Sequence, residues 1–275
     1  MPGIDNPILT ANDVTDYGAV DYVADPFLFI EDGTAHLFFE VVNSNRDPDA
    51  VIGHAIAHDH QHWEYNQVVL AKDAHTSFPF VWKYDGQYYM TPPTGKDVEL
   101  WTTSQASFPG GWEFSHHLID RDYYSHDPVV FRYRDRWWLI TDRGNEELMI
   151  YYSSTLAQTD WTPHPQNPVA THRHGARQGG RPLVIGETPY LFTQDLRDVY
   201  GEAIHGWRVT ELTTKRFAYE HVGTVLSGTG DGWNKRRMHH YDPWPVADDR
   251  WLCAVDGAPD NGRTWSIGLY QASPP

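Results

Sequence analysis

The chain contains a single cysteine, Cys253, in 275 residues, so no disulfide framework holds it together. Lysine is scarce as well, with 5 against 16 arginines, and 37 acidic against 21 basic residues leave a formal net charge of −16. A surface of that sign repels phosphate backbones and excludes nucleic acid as the expected partner. It suits a halophile's protein kept dissolved by its charge, and equally an ordinary acidic protein. No apolar run is long enough to span a membrane, and the opening MPGIDNPILTANDVTDYG lacks the basic start and apolar core of a secretory signal. These absences predict a soluble, cytoplasmic protein with no membrane partner.

What is present is a repeated phrase. Residues 126–142, HDPVVFRYRDRWWLITD, run from an Asp-Pro opening through an apolar stretch, a polar turn and a second apolar stretch. Such β-branched and aromatic runs read as a β-hairpin, with Pro128 at a strand start where a missing N–H does least harm. The phrase returns at 24–40, 78–92, 180–194 and 241–257, and its marker prolines Pro26, Pro79, Pro128, Pro182 and Pro243 are spaced by 53, 49, 54 and 61 residues. A further apolar stretch follows each hairpin, at 52–57, 98–103, 148–153, 207–212 and 266–270.

A period near 50 residues with hairpins in every unit predicts an all-β, five-bladed β-propeller. The blades fall at about 24–64, 75–113, 126–161, 178–222 and 239–270, one domain filling residues 1–275. A generic β-sandwich would account for the hairpins but not for five matched openings. Ile8 and Leu9, ahead of the first blade, are expected to dock on the closing blade. Cys253, in the second strand of the fifth repeat, is expected to be a buried small apolar side chain.

In a propeller the innermost strands start at one mouth of the central channel, so equivalent openings converge. Asp25, Asp127 and Asp242 occupy three of them, with Arg181 between blades. An Asp before Pro often serves only to cap a turn. Three at matched positions form a like-charge cluster that stability alone would not favour. Carboxylates facing one another across a pocket are what glycoside hydrolysis needs, one acting on water or the anomeric carbon while another group protonates the leaving oxygen. Trp82, Tyr123, Tyr124, Tyr241 and Trp244 lie near the openings, where their rings would stack on sugar faces or pack between blades. His54, His58, His60 and His62 alternate near a strand end, a pattern that could bind a metal but reads more simply as a solvated edge. No Cys/His zinc spacing is present, and no metal site is assigned.

The sequence resembles the five-bladed propellers of glycoside hydrolase family 43, and more closely the propeller domain of glucosamine inositolphosphorylceramide transferases. The closer resemblance covers nearly the whole chain. It rests on ADPFLF with FFE (24–29, 38–40), HTSFPFVWKYDGQYYMTP (75–92), FPGGW (108–112), DPVVF with WWL (127–131, 137–139), ARQGGRP (176–182) and QD with YG (194–195, 200–201). The hydrolase resemblance implies Asp25 as general base and Asp127 as the carboxylate that tunes pKa and orients the sugar. It implies an acid two residues before the fourth-blade proline, where this chain has Gly180. It also implies a cation such as calcium near His240. Pro93 stands where the closer relatives usually carry Glu.

Replacement acids are Asp195, Glu40, Asp242, and His239 or His240, since an imidazole donates a proton near neutral pH. Arg181, His126, Gln194, His240, Trp82 and Glu40 are the expected substrate-binding residues, and Arg181 points to an acidic sugar. The expected function is glycoside hydrolysis in the central funnel. The alternatives are a non-catalytic carbohydrate-binding propeller or a module that assists a glycosyltransferase. A protein-interaction propeller has no need of converging carboxylates.

Overall fold

The computed structural model describes residues 4–59, 61–93, 95–260, 262 and 264–272. Five antiparallel sheets follow one another along the chain. Blade one is β1 (Tyr22–Glu31), β2 (Thr34–Val42), β3 (Ala50–Ala57) and β4 (Glu64–Leu70); blade two is β5 (Phe80–Tyr84), β6 (Gln87–Thr91), β7 (Gly95–Thr103) and β8 (Glu113–Ser125). Blade three is β9 (Val129–Tyr133), β10 (Arg136–Arg143) and β11 (Glu147–Ser153), whose outer edge pairs with the short β12 (Thr162–Pro163) and β13 (Ala170–Thr171). Blade four is β14 (Leu183–Ile185), β15 (Thr188–Gln194), β16 (Ala203–Leu212) and β17 (Phe217–Ser227). Blade five has three strands, β18 (Tyr241–Ala247), β19 (Arg250–Gly257) and β20 (Ser266–Ala272).

The five hairpins of the repeat form as expected, each with a two-residue connection. In blades one and two these are Asp32-Gly33 (φ 49 and 78) and Asp85-Gly86 (φ 50 and 76), left-handed pairs whose twist matches that of the strands they join. The blade limits read from sequence fall short at the outer strands: β4 reaches Leu70, β8 Ser125 and β17 Ser227. These strands carry polar residues on both faces, so no apolar run marks them. The stretch between β15 and β16 is a loop of residues 195–202.

Blade five is completed from the other end of the chain. Ile8 donates its backbone N–H to the Ile267 carbonyl (2.8 Å), and Ile267 donates back to Leu9 (2.9 Å). The Asn6 side chain holds Leu269 on both sides, donating to its carbonyl (3.1 Å) and accepting its N–H (2.8 Å). Ile8 and Leu9 therefore dock on the closing blade, and Leu9 is buried there.

Flat rings fill the spaces between blades. Trp137, Trp138, Trp161 and Trp207 belong to one buried cluster running through blades two to four. Trp82 belongs to the same layer, stacked on Tyr89 at 5.4 Å between ring centroids, so its expected role in holding sugar gives way to packing. Cys253 is buried as expected, and burial pushes its thiol up to about 11. No helix among the described residues is long and apolar enough to cross a membrane.

Candidate active site

The site begins with backbone geometry at the blade openings. Asp25 (φ 52), Phe78 (φ 41) and Asp127 (φ 47) all take the left-handed conformation that side-chain-bearing residues rarely adopt. The same bend in three blades turns the chain into its innermost strand. Blade four opens differently: Arg181 precedes its proline without that bend, and the positive φ falls one residue earlier at Gly180 (φ 148), where an added Cβ would lie 1.8 Å from the Tyr241 carbonyl oxygen. No side chain fits there, so the fourth-blade acid implied by the resemblance is excluded sterically as well as absent from the sequence.

Asp25 is held from blade five. Asp256 accepts the Asp25 N–H on one carboxylate oxygen (3.1 Å) and the His239 N–H on the other (3.0 Å), and His239 Nδ1 lies 2.7 Å from it. His240 Nδ1 and His239 Nδ1 stand 3.6 and 3.9 Å from Asp25 Oδ1, contacts too long for hydrogen bonds but close enough for charge to act. Asp25 Oδ1 and both ring nitrogens of His240 are buried without a hydrogen-bond partner. Burial alone would raise the Asp25 carboxyl; His240, His239 and Arg177 outweigh it and hold the group below the usual carboxylate range. The result is an ionised oxygen with an unfilled acceptor position. Asp25, His239 and Asp256 place ligand atoms within 4.8 Å of one another, so these residues, with His240 beside them, are where the expected cation would fit.

Asp127 is held from blade four. Arg177 donates from Nε (2.6 Å) and Nη2 (3.4 Å), Gln194 donates from Nε2 (2.7 Å), and Arg177 Nη1 reaches Asn145 (3.1 Å). Burial opposes the Arg177 charge, yet the Asp127 carboxylate holds the guanidinium well above its ordinary value. The Tyr200 ring covers it, 5.3 Å from the guanidinium carbon, and meets His239 edge-on at 5.4 Å.

Beside Asp127 is a cavity of about 290 Å³ lined in part by His75, Pro93, Tyr124, His126 and Arg177. The Asp142 carboxylate fixes His126, accepting its N–H (2.6 Å) and lying 3.0 Å from Nδ1. His75 bridges two carboxylates, with Nε2 at 3.1 Å from Glu40 and Nδ1 at 3.0 Å from Asp49, and these contacts push it up to about 9. Burial raises the Glu40 carboxyl above its usual range, and Asp25 raises it further. At neutral pH the Glu40–His75 pair therefore retains a proton close to an ionised Asp25.

The structure thus brings together Asp25, Asp127, His126, Gln194, His240 and Glu40. Four other residues named from sequence do other work. Asp242 is fully buried, accepting Arg181 Nε (2.8 Å) and the Leu28 N–H (2.6 Å). Arg181 also donates to the Val81 (3.1 Å) and Leu28 (2.9 Å) carbonyls, so the pair ties blades one, two, four and five together and commits both charges to the fold. Asp195 is gripped by Arg197 (2.7 Å) and His205 (3.0 Å); their contacts overcome its burial and hold it far below the usual range, which rules it out as a proton donor. Trp82 packs between blades as described. Of the other rings, Tyr123 bonds Tyr151, Tyr241 is buried against Phe192, and Trp244 lies beside Arg181, leaving Tyr124 exposed at the cavity.

His54, His58 and His62 do not converge: His54 bonds His36 and Asn66, His58 meets Thr34, and His62 pairs with Asp59. His60 lies outside the described residues. Sequence reasoning missed His75, Asp142, Arg177, Tyr200 and Asp256. Three of them, His75, Arg177 and Tyr200, lie in the blocks HTSFPF, ARQGG and YG that carried the family resemblance.

This architecture is that of solved glycoside hydrolases. It is similar to a thermostable family-43 glycoside hydrolase (TM-score 0.70, 14% identity, 98% of this chain and 92% of that one) and to the catalytic domain of a Coprinopsis cinerea GH62 α-L-arabinofuranosidase (0.69, 11%, 93% and 92%). It is also similar to a family 117 glycoside hydrolase of Zobellia galactanivorans (0.63, 15%, 94% and 86%). Residues 2–258 match the family model of the N-terminal part of glucosamine inositolphosphorylceramide transferase 1, and the chain belongs to that family. It is 32% identical over 266 residues to the transferase of Oryza sativa subsp. japonica and 30% identical over 268 to that of Arabidopsis thaliana, covering 92% of this chain each time. It spans about a third of those relatives' length, 35% and 34%.

Proposed function

We propose that the funnel is a carbohydrate site in which a glycosidic bond is cleaved, with Asp25 as general base. The observation that carries this reading is the buried Asp25 Oδ1 with no hydrogen-bond partner, on a carboxyl that His240, His239 and Arg177 hold below its usual range. A carboxylate oxygen in that state takes a proton from a hydroxyl or water placed against it. In the proposed step the water loses its proton to Asp25 as its oxygen bonds to the anomeric carbon, while the Glu40–His75 pair gives a proton to the departing glycosidic oxygen. Asp127, fixed by Arg177 and Gln194, orients the sugar.

The acidic-sugar expectation rested on Arg181, which is committed to Asp242. The relatives' names instead make an amino sugar joined to an inositol phosphate headgroup the first class to test. An ammonium group also suits the Asp25 carboxylate, which is held below its usual range.

A second reading, a funnel that binds sugar without cleaving it, is favoured by the lack of room for any side chain at Gly180. Release of sugar from a panel of aryl glycosides, aryl glucosaminides included, separates the two. Hydrolysis predicts release that Asp25→Asn lowers by about 10²-fold or more. No release from any substrate, together with a sugar-induced rise in melting temperature, would replace hydrolysis with binding.

A further inference from the structure

Blade four gathers several histidines that the proposed carbohydrate site does not use. His205 on β16 and His221 on β17 share a face of the sheet, since Trp207, two residues after His205, is the register partner of His221. His221 Nε2 lies 3.0 Å from His205 Nδ1. The other ring nitrogen of His205, Nε2, lies 3.0 Å from Asp195 Oδ2. A carboxylate in that place fixes the proton on Nε2 and leaves the Nδ1 lone pair, which faces His221 and the Thr224 hydroxyl (3.4 Å), as the ring's acceptor and its available ligand position.

His174, from the segment that crosses from blade three, brings a third ring. Its centroid is 5.5 Å from that of His205 and 6.4 Å from that of His221, while those two are 4.9 Å apart. Nitrogen–zinc bonds of 2.0–2.1 Å in a tetrahedral site place ligand nitrogens roughly 3.3 Å apart and imidazole centres roughly 5 Å apart. The His205–His221 pair, at 3.0 Å between nitrogens and 4.9 Å between centroids, is close to that spacing, and His174 stands farther out and would have to turn inward to become the third ligand. The interplanar angles of 78°, 90° and 65° keep the three rings from stacking and let their edges converge.

We propose that His174, His205 and His221 bind a divalent transition ion of the zinc class, with Asp195 orienting His205 and a water completing the coordination. The Arg197 charge reaches His174 and His221, and its guanidinium is paired with Asp195. Behind the site, His172 Nε2 lies 2.8 Å from the Tyr219 hydroxyl and serves as packing.

The test is titration of the metal-stripped protein with Co²⁺ and then Zn²⁺. One equivalent of Co²⁺ should give the intense visible bands of a four-coordinate ion, lost on displacement by Zn²⁺. His221→Ala and His174→Ala should each abolish the bands, and Asp195→Asn should weaken Zn²⁺ by about 10–100-fold. His221 is exposed, so an unchanged melting temperature of stripped His221→Ala shows that the fold is retained. Absence of four-coordinate bands overturns the proposal. So do bands that survive either histidine substitution, or that vanish instead with His36→Ala or Asp25→Asn, variants of the blade-one pair and the funnel.

Discussion

Asp25, Asp127 and Asp242 carry one sequence signal, an Asp before the marker proline, and the chain uses it in two ways. Asp25 and Asp127 have the left-handed backbone of the blade opening and belong to the candidate site; Asp242 lacks it and is paired with Arg181. The tripeptide context does not encode that difference, which depends on Gly180 passing against Tyr241 and carrying Arg181 to the axis. Removing one partner of a buried ion pair leaves the other charge uncompensated, so Arg181→Met or Asp242→Asn should cost about 3–5 kcal/mol in urea unfolding. Replacing both with apolar residues should restore much of it. His75 provides a test in pH. It is raised to about 9 in the folded protein against about 6.5 unfolded, so its contribution is fully present below pH 6.5 and is lost as pH rises through 9. The melting temperature should therefore fall between pH 7 and 10, and His75→Gln should flatten that part of the profile.

Among the elements, the inner hairpins were legible because apolar runs and Asp-Gly turns mark them on the chain itself. The outer strands were not. β4 and β17 have exposed residues scattered along both faces, so neither periodicity nor hydrophobicity sets them apart from loops. The strap that completes blade five was legible through Ile8 and Leu9, two apolar residues in a polar segment. Burial of Leu9 and its neighbouring backbone bonds are together worth about 3 kcal/mol. Deleting residues 1–9 should lower the melting temperature by on the order of 5–10 °C and leave the edge of β20 uncovered. An unchanged melting temperature would show that this pairing contributes nothing to closure.

At the scale of the whole molecule, five similar hairpins converge on an axis crossed by the buried Arg181–Asp242 pair, with Asp25 and Asp127 held at two of the blade openings. Residues far apart in sequence meet there: Asp25 with Asp256, and Asp127 with Arg177. The candidate site was half legible for that reason. The blade openings were visible as a repeat, whereas Arg177, His75 and Asp256 act through contacts that only the closed ring creates. The same holds for His174, His205 and His221, which stand 31 and 16 residues apart and form no zinc-binding spacing. The most direct measurement of the central claim is calorimetric titration of the protein with a glucosamine-containing oligosaccharide, beside Asp25→Asn and the remote His221→Ala. A sugar hydroxyl bonded to a buried carboxylate is worth about 1.5–3 kcal/mol, so Asp25→Asn should weaken binding by roughly 10–150-fold while His221→Ala leaves it unchanged. Sugar that binds equally well to Asp25→Asn, or that does not bind the wild-type protein at all, would contradict the account.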